Sequence, residues 1–94
     1  MAQVRWLPEA MSDLKRLYEF INPHSADAAA RAVNTLLAAA GSLADFPEKG
    51  RPWQQEPTFR ELAVQFGAKG YVIRYRIDGD SVIIVRVWHA LEDR

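Results

Sequence analysis

Apolar side chains at Leu7, Ala10, Met11, Leu14, Leu17, Tyr18 and Ile21 recur at spacings of three and four, with Asp13, Lys15, Arg16 and Glu19 mostly on the other side. That is the period of an amphipathic helix. Pro8 suits its first turn, where a missing N–H costs nothing, and Glu9 suits the positive end of the helix dipole. The helix should stop before Asn22-Pro23, because a residue preceding proline is pushed out of the α region. Ser25 then reads as the N-cap of a second helix, with Asp27 in its first turn and an alanine-rich body to about Leu43. Its stripe is Ala29, Val33, Leu36, Leu37, Ala40 and Leu43, and the short connection predicts an αα-hairpin. Before the first helix, Gln3 to Trp6 alternate polar and apolar as a short half-buried strand does.

The second half of the chain changes period. Phe46 to Thr58 holds Pro47, Gly50, Pro52 and Pro57 without periodicity and reads as a loop, in which Trp53 suits a core lid or an exposed contact equally. Three strand-like runs follow, Arg60 to Phe66, Tyr71 to Ile77 and Ser81 to His89, separated by Gly67-Ala68-Lys69-Gly70 and Asp78-Gly79-Asp80. The order β-α-α-β-β-β predicts one α+β domain over residues 1–94, a helical hairpin packed on a small antiparallel sheet. In the middle strand Tyr71, Ile73, Tyr75 and Ile77 form the core face, and Val72, Arg74 and Arg76 face the other way. A three-residue hairpin loop pairs Ile77 with Ser81 and puts Arg86 beside Arg74 and Arg76. A two-residue loop puts Arg86 among Tyr71 and Ile73, which costs more unless a carboxylate is buried there. The three-residue register is the expectation. It leaves a bare sheet face carrying Arg74, Arg76, Arg86 and Trp88, suited to an acidic or peptide partner.

Charge and composition narrow the chemistry. The 94 residues carry 12 basic and 12 acidic side chains, a balance that disfavours a dedicated nucleic-acid binder. Arg51, Arg60, Lys69, Arg74 and Arg76 oppose only Glu56 and Glu61 between residues 51 and 76, so a local basic surface is expected. No cysteine is present and the only histidines are His24 and His89, so no metal site and no cofactor is expected. No apolar run reaches membrane-spanning length and no signal pattern opens the chain, which makes the cytoplasm the expected address and a membrane partner unexpected.

Arg60-Glu61-Leu62, Phe66-Gly67, Gly70-Tyr71, Tyr75-Arg76-Ile77 and Val85-Arg86-Val87-Trp88-His89, in this order, resemble the RelE/ParE superfamily of toxins from bacterial type II toxin–antitoxin pairs. Trp6-Leu7-Pro8-Glu9-Ala10 with Asp13-Leu14, and Pro47-x-x-Gly50-Arg51, resemble it too, so the likeness spans nearly the whole chain. The resemblance implies a cognate antitoxin whose extended segment wraps the hairpin and the sheet. It also implies one of two activities, ribosomal cleavage of messenger RNA or inhibition of DNA gyrase by binding. For cleavage the candidates are Arg60, Arg74 and Arg76 as cations with Glu61 or His89 as proton movers. The RelE-like nucleases usually carry an arginine where this chain has Val72, and nothing like their lysine cluster and terminal tyrosine follows His89. The expectation is therefore a ParE-like gyrase inhibitor. Its contact residues would be Arg74, Arg76, Arg86, Trp88 and Arg94, with Trp88 as aromatic anchor and Trp88 to Arg94 as the gyrase-contacting segment.

Overall fold

A computed structural model describes residues 2–92 of the chain. After strand β1 (Gln3–Trp6), helix α1 runs Pro8–Ile21 with its proline in the first turn, and α2 runs Ala26–Ser42. Ser25 caps α2 as expected, its Oγ accepting the Ala28 N–H at 3.0 Å. The inward faces are Ala10, Asp13, Leu14 and Leu17 on α1 and Ala29, Ala32, Leu36 and Ala40 on α2. Both stripes are rotated from the expected ones. Met11 and Leu37 are 53% and 45% exposed, while Asp13, placed among the outward residues by its charge, is 4% exposed. Asp13 lies three residues after Ala10 and four before Leu17, so helical geometry puts it on their face whatever its polarity.

The remaining strands are β2 (Arg51–Trp53), β3 (Glu56–Val64), β4 (Tyr71–Asp78) and β5 (Ser81–His89), in the sheet order β1-β5-β4-β3-β2. The α+β architecture is the expected one, with two differences. β1 runs parallel to β5, making the sheet mixed instead of antiparallel, and the segment read as loop from Phe46 to Thr58 contains β2 and the start of β3. A three-residue strand holding a proline carries almost no sequence signal, and Pro52 is tolerated because β2 is an edge.

The β4–β5 hairpin settles the register question in a way neither option foresaw. Asp78 pairs with Ser81 and Ile77 with Val82, so the loop has two residues, Gly79 and Asp80. Gly79 adopts φ 58°, which a residue without Cβ accommodates freely. Tyr75 pairs with Ile84 but Arg74 pairs with Arg86, which leaves Val85 unopposed in a β-bulge. One extra residue inverts the alternation. Val82 and Ile84 before the bulge and Val87 after it therefore all reach the core, while Arg86 stays beside Arg74.

The core closes over Tyr75, Leu36, Leu43, Ile73, Ile84, Val82 and Val87, all fully buried. Tyr75 also organises the loop before β2. Its hydroxyl accepts the Gly50 N–H at 2.8 Å and donates to the Pro47 carbonyl at 2.7 Å. Burial raises its pKa above 10.0, so the hydroxyl keeps its proton. Arg60 adds bonds from Nη1 to the carbonyls of Gly50 (2.7 Å) and Glu48 (3.2 Å). Pro47-x-x-Gly50-Arg51 is thus pinned at both ends and delivers β2 to the sheet edge.

A Cβ on Gly50 would lie 2.7 Å from the Tyr75 hydroxyl oxygen and 2.9 Å from the Glu61 carbonyl, whereas one on Gly41, in the last turn of α2, meets nothing within 4 Å. In urea unfolding, Gly50→Ala should destabilise by about 1–3 kcal/mol. Gly41→Ala should stabilise by about 0.5–1 kcal/mol.

Candidate functional site

The sheet face turned away from the helices is ordered by the strand register. Arg5, Ile83, Arg76 and Phe59 form one row across it, Arg86, Arg74, Glu61 and Arg51 a second, and Trp88, Val72 and Ala63 a third. Arg74, Arg76, Arg86 and Trp88 share this face, as expected. Their arrangement is less open than the sequence suggested. The Arg74 guanidinium lies 3.5 Å from the Trp53 ring centroid and 4.6 Å from that of Trp88, and Arg86 lies 5.1 Å from the other end of the stack at Trp88. Trp53 also meets Phe59 edge-on at 6.4 Å, so the loop tryptophan is a cover for this face. Each guanidinium–indole contact contributes about 0.5–2 kcal/mol, increasing with desolvation.

Two carboxylates fix the two arginines. Glu61 Oε2 accepts from Arg74 Nε at 3.0 Å and Nη2 at 2.8 Å, and the Arg74 side chain is only 13% exposed. Its charge is therefore matched within the chain. Trp88, expected as an aromatic anchor for a partner, is 8% exposed and fills the space between two guanidiniums. Arg76 is left more accessible, 3.6 Å from the exposed carboxylate of Asp78, a pair of little energetic weight. Beside the stack a groove of about 570 Å³ is lined by Arg51, Pro52, Trp53, Gln54 and Gln55 from β2 and the turn after it, and by Glu61, Ala63 and Val72 from β3 and β4.

At the far end of the stack stands Asp13, the residue sequence reasoning missed. β1 ends opposite Ile84, so the outer edge of β5 has no strand partner beyond it. Asp13 Oδ2 accepts the Val87 N–H at 2.8 Å and Arg86 Nε at 2.8 Å, and Oδ1 accepts from Arg86 Nη2 at 3.2 Å and Arg16 Nη2 at 3.3 Å. Burial alone would push this carboxyl up. The hydrogen bonds from Arg86 and Val87, with the charge of Arg86, outweigh burial and hold its pKa below 3.8. Its carboxylate in turn raises the pKa of Arg86. A signal was present in the sequence: an aspartate in phase with Ala10, Leu14 and Leu17.

The candidate cleavage residues do not come together. Arg60 pairs in register with Tyr75 and His89 with Tyr71, which places both on the helix side, whereas Glu61 and Arg74 pair on the open side. Arg60 is engaged with loop carbonyls. The His89 ring meets Tyr71 edge-on at 5.5 Å, and its Nδ1 accepts the Leu91 N–H at 3.1 Å. Arg94, expected among the contact residues, lies outside the described residues. Among the described residues no cluster of metal-ligating side chains occurs, and no helix is long and apolar enough to cross a membrane.

Comparison with known proteins gives this arrangement a context. A family model described as the ParE toxin of the type II toxin–antitoxin system parDE matches residues 4–94. Toxin RelE1 of Caulobacter vibrioides is 44% identical over 85 residues, spanning 90% of this chain and 89% of that protein. Toxin RelE3 of the same organism is 39% identical over 94 residues, the whole of both chains. A solved structure of a chromosomal ParDE system from P. aeruginosa superposes with a TM-score of 0.79 over 96% of this chain and 97% of that one, at 22% identity, a likeness of fold.

Replacing Asp13 with Asn leaves the Val87 N–H and Arg86 without their ionised acceptor, and should cost about 1–3 kcal/mol at neutral pH. The folded carboxyl has a lowered pKa, so its stabilisation is complete above the unfolded value and disappears as pH falls through the folded one. Urea unfolding of both proteins from neutral pH into acid should therefore show a gap that narrows below about pH 4.

Proposed function

The chain belongs to the ParE toxin family of type II toxin–antitoxin systems, and from that premise we propose that it arrests growth by binding a cellular target, DNA gyrase, and not by cutting RNA. A cognate antitoxin is its partner. The observation that carries the binding reading is the division of the cleavage candidates between two faces of the sheet. Attack by a 2′-hydroxyl needs a base, an acid and cations around one phosphate. Here Arg60 and His89 are aligned with β4 residues four positions apart, roughly 13 Å along the strand, and on the opposite side from Glu61 and Arg74. Glu61 and Arg74 neutralise each other.

The open face suits a protein partner. Arg5, Arg51 and Arg76 border the Trp53–Arg74–Trp88–Arg86 stack, and the groove beside it is lined by both polar and apolar side chains, Gln54, Gln55 and Glu61 with Ala63 and Val72. Cations around a groove of mixed polar and apolar lining match a polypeptide surface carrying acidic, polar and apolar side chains. In this reading the protein works in the cytoplasm without metal or cofactor, and the antitoxin competes for or occludes the face the target uses.

Because curated relatives carry the name RelE, the decisive experiment measures both activities side by side. Purified toxin should inhibit DNA supercoiling by gyrase, leave cell-free translation intact, and lose its effect when the antitoxin is added. Messenger RNA cleavage with gyrase unaffected would replace this reading by the ribonuclease one. His89→Gln should keep most of the supercoiling inhibition, since the ring lies against Tyr71 on the helix side of the sheet, away from the open face, and the binding reading asks it to move no proton. Arg76→Glu should weaken partner binding more at low salt than at high salt, because an exposed charge is screened.

A further inference from the structure

The tip of the β2–β3 hairpin stands apart from the sheet that carries it. Arg51 pairs with Glu61 and Pro52 with Arg60, but the next residue, Trp53, pairs with Glu56, so Pro57, Thr58 and Phe59 are unopposed on β2. On its other side β3 first meets β4 at Phe59 opposite Arg76, so Glu56, Pro57 and Thr58 are unopposed there too. Residues 54–58 are all exposed, Pro52 and Pro57 have no N–H to give, and the Thr58 hydroxyl bonds Glu56 Oε1 at 3.1 Å, within the tip itself. A segment with one strand pair, exposed backbone and a single half-buried side chain belongs to the low end of local stability. What fastens it is the Trp53 ring, 3.5 Å from the Arg74 guanidinium and edge-on to Phe59.

The seat under that ring is held without it. Glu61 grips Arg74 through Nε and Nη2, the Trp88 ring lies 4.6 Å from the same guanidinium with Arg86 beyond, and Asp13 fixes Arg86. With the tip lifted, Arg74 keeps its carboxylate and offers one flat face, the surface on which an aromatic ring stacks. Arg51 is exposed in the same cross-strand row as Arg74, and Arg76, 40% exposed, follows two residues along β4. The flanks of the seat therefore favour carboxylates.

We propose that residues 53–58 are a hinged cover latched by Trp53, and that the target protein opens it by setting an aromatic side chain, flanked by acidic residues, in place of the Trp53 indole. The inference rests on the reading that the protein acts by binding. The chain's own tryptophan is then a placeholder, and target affinity is lowered by the fraction of molecules in which the cover is closed.

Three measurements test this, with unfolding midpoints taken alongside. Amides of residues 54–56 should exchange hydrogen faster than those of β4. In Trp53→Ala the Arg74 Nε–H resonance should move downfield, and N-acetyltryptophanamide as a probe should stack on the vacated guanidinium and return it upfield. Trp53→Ala should also inhibit gyrase about three- to tenfold more strongly than the wild-type protein, because its seat is always open. Where alanine lowers the midpoint, Trp53→Leu, which keeps an apolar group against Phe59 but no ring for Arg74, replaces it. A resonance indifferent to the probe, tip amides that exchange as slowly as those of β4, or a variant that inhibits no better than wild type would each overturn the inference. Tighter binding of adenosine monophosphate than of the amide would overturn the choice of a polypeptide occupant. If the wild-type protein spares gyrase, the choice of gyrase fails, and the exchange and probe measurements decide the cover.

Discussion

Val85 is the residue on which both faces of the sheet depend. β5 must bring Val82, Ile84 and Val87 into the core and also set Arg86 beside Arg74, and strict alternation cannot do both. Carrying the register of the turn through without interruption would drive Arg86 among Tyr71 and Ile73, and a buried guanidinium without a carboxylate costs several kcal/mol. The bulge avoids that at the cost of one unpaired residue and a local kink. It also swings the second half of β5 past the end of β1, where α1 takes over as the neighbour along that edge.

The takeover works because a carboxylate can replace a strand. Asp13 supplies the acceptor that a longer β1 would have offered to Val87, Arg16 supplies a donor, and Glu92 serves His89. An unguarded edge invites pairing with another chain, so these side chains protect β5 as well as shape it. Asp13 does a second task with the same oxygen atom by holding Arg86 against Trp88. The edge of the sheet and the stack on its open face are therefore one hydrogen-bonded unit.

That unit changes what the arginines mean. Counted along the chain they form a basic patch. In the folded molecule Arg74 belongs to Glu61 and the two indoles, Arg86 belongs to Asp13, and Arg60 belongs to a loop. The open face presents a largely neutral stack with Arg5, Arg51 and Arg76 around it. Rigid aromatic and guanidinium groups already ordered in the free protein are an economical binding surface, whereas a cleavage site would need them free to surround a phosphate.

The helices, their cap at Ser25, the stop before Pro23 and the three main strands could be read from local pattern, because periodicity, capping and proline sterics act within a few residues. The family resemblance was carried by short motifs in order, and the shared face of Arg74 and Arg76 followed from alternation, whereas Arg86 joins them through the bulge at Val85 and not through the three-residue loop expected. The inward turn of Asp13, the edge strand at Arg51–Trp53, the unopposed Val85 and the cover formed by Trp53 could not be read so. Each depends on groups far apart in the chain: Asp13 meets Val87, Tyr75 meets Gly50, and Arg74 meets Trp53. A polar residue on an apolar stripe, or a tryptophan in a loop, has no preferred side until folding brings its partner alongside, and the free energy that chooses the side lies in that contact.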